Sequence, residues 1–95
     1  MPHLISSILA YSLKDCQNEA IEFAGNGLLD TTRIAEGDPS LWKTIFQHNK
    51  HHVLHSLDRI EKTIALVRKA LKEENMDNFE AFLKSASDFR KGISR

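Results

Sequence analysis

The sequence predicts an all-α fold, a bundle of three main helices with one short helical turn. Three observations lead there. No segment sustains the alternation of apolar and polar residues that marks a strand, and β-branched residues are scattered. Apolar residues instead recur at helical spacing along most of the chain. The strongest punctuation, Gly25-Asn26-Gly27 and Gly37-Asp38-Pro39, sits between the helical patterns rather than inside them.

The first helix is expected over residues 2–24. Its apolar stripe is Ile5, Ile8, Leu9, Leu13, Cys16, Ala20 and Phe23, and Gly25-Asn26-Gly27 stops it. Cys16 lies within the stripe, so burial is a simpler reading than reactivity. A short helical turn follows near residues 31–36, with Asp30 as N-cap and Gly37 closing it.

The second helix is expected over residues 39–74. Asp38 caps it, and Pro39 occupies the first helical position, where a missing N–H costs nothing. No breaker follows before Asn75, so the helix would reach about 50 Å at 1.5 Å per residue. A compact domain of this length is only about 30 Å across. Val53, Leu57, Ile60, Ile64, Val67 and Leu71 step alternately by four and three, the spacing of a coiled-coil seam. Leu54, Ala65, Leu66 and Ala70 widen that surface. A second copy of the chain is the expected cover, giving a homodimer through the long helix.

The third helix is expected over residues 77–91, with Asp77 as N-cap, Glu80 completing a capping box and Met76 as a hydrophobic staple. Its stripe is Phe79, Phe82, Leu83, Ala86, Phe89 and Ile93. The 95 residues read as a single domain without internal repeats or low-complexity tracts.

Composition narrows the function. The 13 basic and 13 acidic residues cancel, which argues against a nucleic-acid binder. No apolar run approaches the ~20 residues of a membrane span, so no membrane partner is expected. Met1-Pro2-His3-Leu4 lacks the basic region and cleavage site of a secretory signal. With a single cysteine, this predicts a cytoplasmic protein.

Candidate chemistry concentrates between residues 27 and 46, G-L-L-D-T-T-R-I-A-E-G-D-P-S-L-W-K-T-I-F. From the residues alone, Arg33 is either a surface arginine paired with Asp30 or Glu36, or a clasp for a carboxylate. Trp42, the sole tryptophan, reads as an aromatic at a helix junction. His48, His51, His52 and His55 form a separate cluster. On one helix His48, His51 and His55 would fall within about 60° of each other, which permits a zinc or nickel site or a plain solvated face.

The pattern D-T-T-R-I-A-x-G-D-P-x-L-W-x-x-I-F-x-x-N, with Met-Pro-His upstream, resembles the C-terminal helical domain of prephenate (or arogenate) dehydrogenases of tyrosine biosynthesis. The resemblance covers essentially the whole chain. It implies that Arg33 binds a carboxylate of prephenate or arogenate and that Asp30 orients it. It places His3 and Trp42 in the substrate pocket, and Gly27 matches a family glycine before the motif. Asn26 stands where the family commonly has the first of two glycines. Pro2-His3 matches the second half of a His-x-Pro-His motif whose first histidine would fall before Met1.

The family converts prephenate to 4-hydroxyphenylpyruvate, with NAD or NADP taking the hydride. Its catalytic base and cofactor site belong to an N-terminal nucleotide-binding Rossmann domain. Gly25-Asn26-Gly27 follows a helix and lacks the third glycine, so it is no such fingerprint. The chain is therefore expected to be the dimerisation and substrate-binding part of the enzyme. It would hold no catalytic or cofactor-binding residue and would be inactive alone. The family also implies interlocked helical domains. Phe89-Arg90-Lys91-Gly92 resembles the junction before a regulatory ACT domain, which this chain would lack. Two readings from other classes are a histidine-rich metal-binding module and a histidine phosphotransfer or scaffolding bundle.

Overall fold

The computed structural model describes residues 2–14, 27 and 29–93. Helices account for the regular structure, and no strand occurs among the described residues. In chain order the elements are α1 (Pro2–Leu13), a 3-10 turn η1 (Arg33–Glu36), α2 (Pro39–His48), α3 (Lys50–Lys72) and α4 (Met76–Ile93). The chain divides within α3 into two compact units, Met1–Val53 and Leu54–Arg95.

In the first unit, α1 packs on η1. The rest of the expected first helix, with Cys16, Ala20 and Phe23, lies outside the described residues. The buried positions of α1 are polar, His3 and Ser6, whereas Ile8 of the predicted stripe is exposed. The reason lies in what α1 meets. Ser6 meets a backbone carbonyl, and His3 meets a glycine and the flat ring of Trp42, so a hydroxyl and a flat ring fit best.

The expected turn is present, with a different start. Residues 27 and 29–32 are already helical, and the backbone tightens to 3-10 geometry at Arg33–Glu36. Asp30 therefore lies inside helical backbone and is not the N-cap. Thr31 Oγ1 donates to the Gly27 carbonyl at 2.8 Å, a bond one helical turn back. The Gly37 N–H donates to the Ile34 carbonyl at 3.3 Å and closes the turn.

Helix α2 begins as expected. The Asp38 carboxylate accepts from the Ser40 N–H at 3.0 Å, and Pro39 takes the first helical position. The long helix predicted over residues 39–74 is interrupted at Asn49, which has φ −121° and ψ 27°. In an unbroken helix the Asn49 N–H would donate to the Ile45 carbonyl. Here the Asn49 side-chain amide takes that carbonyl at 2.9 Å, and the backbone N–H moves to Phe46 O at 3.1 Å. Asparagine's side chain thus competes with the helix ladder. The uninterrupted length falls to the 23 residues of α3, about 35 Å.

The second unit is the rest of α3 and α4, joined by Glu73, Glu74 and Asn75. The Asn75 N–H donates to Ala70 O at 2.9 Å and the Glu74 N–H to Leu71 O at 3.2 Å. This is a Schellman closure, with Glu74 at φ 53° in the place usually taken by glycine. Asn75 Oδ1 then accepts from the Asn78 N–H at 3.1 Å, so Asn75 caps α4 in place of the predicted Asp77. Asp77 falls in the first turn, and Met76 is exposed rather than a staple.

Ala70, at 6% exposure, is the sole buried hydrophobic residue among those described. Between α3 and α4 runs a cleft of about 1050 Å³, lined by Leu66, Ala70, Ala81, Phe82, Ala86 and Phe89 with a polar rim. Leu66, Leu83 and Phe89 stay exposed. No helix among the described residues is long and apolar enough to cross a membrane.

Candidate functional site

The site is built where α1, η1 and α2 meet. His3 is in the first turn of α1 and Trp42 in the first turns of α2. Their rings stack with centroids 4.2 Å apart and planes 14° from parallel. Phe46, one turn beyond Trp42, closes the aromatic group at 5.6 Å from Trp42 and 6.0 Å from His3. Such contacts contribute roughly 0.5–1.5 kcal/mol per pair beyond area burial.

His3 is only 8% exposed, yet among the described residues neither Nδ1 nor Nε2 has a hydrogen-bond partner. Buried polar atoms are nearly always paired, so the two ring nitrogens make His3 a candidate for a binding role. Imidazole can donate, accept or carry charge.

Gly37 touches the same stack. A Cβ added there would lie 2.7 Å from Trp42 Nε1 and 3.0 Å from His3 Nε2. Its φ of −63° and ψ of 165° suit any residue. Glycine is required here for close approach, not for the left-handed backbone expected of a helix-closing glycine.

Arg33 opens η1, and its side chain is exposed. Among the described residues it forms no ion pair with Asp30 or Glu36, so the surface pairing open to it in sequence is not adopted. Among the described residues no ion pair or hydrogen bond engages its guanidinium, and the backbone that carries it is held from both sides. Asp30 and Gly27 are also exposed. The structure thus gathers His3, Trp42 and the Arg33 turn in one unit, while Asp30 and Arg33 do not touch through their charges.

His48, His51, His52 and His55 are all exposed, and no three or more metal-ligating side chains come together among the described residues. The break at Asn49 removes the single helical phase on which the alignment of His48 with His51 and His55 depended.

Sequence reasoning missed three contributors. Phe46 is one turn from Trp42, on the same face. Ser6 is one turn from His3, and its hydroxyl donates to Thr31 O at 2.6 Å. Gly37 was legible only as a stop signal. The spacing of Ser6 from His3 and of Phe46 from Trp42 carries the signal for the first two.

Comparison with known proteins gives a consistent match. A family model described as prephenate dehydrogenase, dimerization domain, matches residues 1–85. The chain is 30% identical to a prephenate dehydrogenase of Bacillus subtilis (strain 168), covering 97% of this chain and 26% of the relative. It is 23% identical to a prephenate dehydrogenase of Lactococcus lactis subsp. cremoris (strain MG1363), covering 97% of this chain and 27% of that protein. The chain thus spans about a quarter of the length of these curated relatives. No solved structure matches it.

Proposed function

Because the chain belongs to the prephenate dehydrogenase dimerization-domain family, we propose that it is the dimerisation and substrate-binding part of a cytosolic prephenate or arogenate dehydrogenase. In that enzyme NAD or NADP, bound elsewhere, accepts the hydride from the ring carbon that bears the hydroxyl. Carbon dioxide leaves and the ring becomes aromatic. This chain's residues bind and orient the acid. Alone, the chain has no dehydrogenase activity.

The observation that carries the reading is Arg33, an exposed guanidinium without an ion-pair partner among the described residues, on a turn beside the His3–Trp42 stack. Its planar fork matches a carboxylate with two parallel hydrogen bonds. His3 offers a ring nitrogen to the substrate's carboxylate or keto group. Trp42 gives the ring a flat apolar wall. Asp30 and Gly27 shape the approach to Arg33.

A second copy of the chain covers the α3–α4 cleft. That region leaves Leu66 at 54% and Phe89 at 70% exposure, beyond what isolated surface apolar residues explain.

The test is Arg33→Ala in the complete dehydrogenase. Losing a charge-assisted pair should raise the KM for prephenate roughly ten- to hundredfold. The KM for the nicotinamide cofactor should stay unchanged. Parent-like prephenate kinetics in that variant would remove the role given to Arg33.

A further inference from the structure

Among the described residues Arg33 makes no ion pair, yet the turn that carries it is held at both ends by α1. Before the turn, the buried Ser6 hydroxyl donates to the Thr31 carbonyl at 2.6 Å, two residues ahead of Arg33. After the turn, Gly37 fits against the edges of His3 and Trp42, where an added Cβ would meet Trp42 Nε1 at 2.7 Å. Ser6 and His3 lie one turn apart on the same face of α1, and they are the buried polar residues among those described.

We propose that Ser6 and Gly37 are positioning residues that bracket the Arg33 turn against α1 and so fix the direction of the guanidinium. The inference rests on the proposed role of Arg33 in binding a carboxylate. Each bracket has a distinct physical basis. Ser6 supplies a small donor to a backbone carbonyl at a part-buried contact. Gly37 supplies nothing but the lack of a side chain. Its dihedrals suit any residue, so the requirement comes from the 2.7 Å and 3.0 Å approaches alone. A methyl there forces the turn or the stacked rings to shift, and so disturbs the placement of the guanidinium.

The experiment compares Ser6→Ala, Gly37→Ala and Arg33→Ala in the complete dehydrogenase. Ser6→Ala should raise the KM for prephenate about tenfold, the equivalent of one lost hydrogen bond, with kcat and the cofactor KM nearly kept. Gly37→Ala should do the same and also change the fluorescence of Trp42, the sole tryptophan, as the stack opens. Adding Trp42→Phe to Gly37→Ala removes Nε1, the atom that the methyl meets most closely, and should restore part of the lost thermal stability.

Amide exchange at Gly37, whose N–H closes the turn, reads the bracket without substrate and should quicken about tenfold in Ser6→Ala. If Arg33→Ala raises the prephenate KM while Ser6→Ala and Gly37→Ala leave it within about twofold, inside the range of an ordinary neutral substitution, the bracket is overturned and the role of Arg33 stands. If Arg33→Ala changes nothing, the role of Arg33 falls, and unchanged Gly37 exchange in Ser6→Ala overturns the bracket as well.

Discussion

The imidazole of His3 lies flat on the indole of Trp42, 4.2 Å between centroids, with both imidazole nitrogens unpaired among the described residues. A stack that served packing alone would be better made from two hydrocarbon rings, because orphaned buried polar atoms cost stability.

This yields a test. His3→Phe keeps a flat ring on Trp42 and removes two unpaired nitrogens. It should raise stability by about 1 kcal/mol in thermal unfolding, a typical return for deleting an unsatisfied buried polar group. In the complete enzyme the same variant should bind prephenate less tightly. A destabilised protein with normal substrate affinity would reverse both halves of the argument.

Glu74 occupies a left-handed position at φ 53°, where side chains with a Cβ cost about 1 kcal/mol. Glu74→Gly should relieve this and stabilise the Schellman closure between α3 and α4 by about 0.5–1 kcal/mol. Denaturant unfolding measures it, and a lowered midpoint would count against the assignment of strain.

Asn49 interrupts the path from α2 to α3 by taking the Ile45 carbonyl with its side chain. Asn49→Ala removes that competitor and substitutes the best helix former. Far-UV circular dichroism should show more helix, and stability should rise by about 0.5 kcal/mol. Unchanged helicity would mean that packing, rather than the amide, sets the break.

Phe89 lines the α3–α4 cleft at 70% exposure. On a lone chain, Phe89→Asp would be nearly silent, within about 0.5 kcal/mol. With a second copy seated in the cleft, the carboxylate is buried against apolar surface, and the dimer should weaken by roughly a hundredfold or more. Size-exclusion chromatography with light scattering decides between the two. Persistence of the parent dimer would place the interface elsewhere.

The features readable from sequence were those set by neighbours in the chain. Asp38 and Pro39 start α2 as expected, because a cap and a fixed φ act within one turn. The all-α class and the turn near Arg33 follow from periodicity and punctuation in the same way. Misplaced features involve competition between equivalent groups. Asn75 and Asp77 are both good caps, and the Schellman closure at Ala70 and Leu71 favours Asn75. Asn49 is tolerated in a helix until its amide finds Ile45 O. The buried face of α1 eluded the pattern because it is chosen by Thr31 O and Gly37, far along the chain. Likewise, His3 and Trp42 were singled out by their motif, while their stacking and the fit of Gly37 against them needed tertiary distances.

The walls of the α3–α4 cleft include the small side chains Ala65, Ala70, Ala81, Ser85 and Ala86. In an isologous pair related by a two-fold axis, every such position occurs twice across the contact. One replaced codon therefore alters association through two simultaneous perturbations, so its free-energy effect is doubled and its effect on the equilibrium constant squared. Assembly through this cleft could then be tuned sharply by conservative alanine-to-serine or alanine-to-valine drift, without any change to the residues of the first unit.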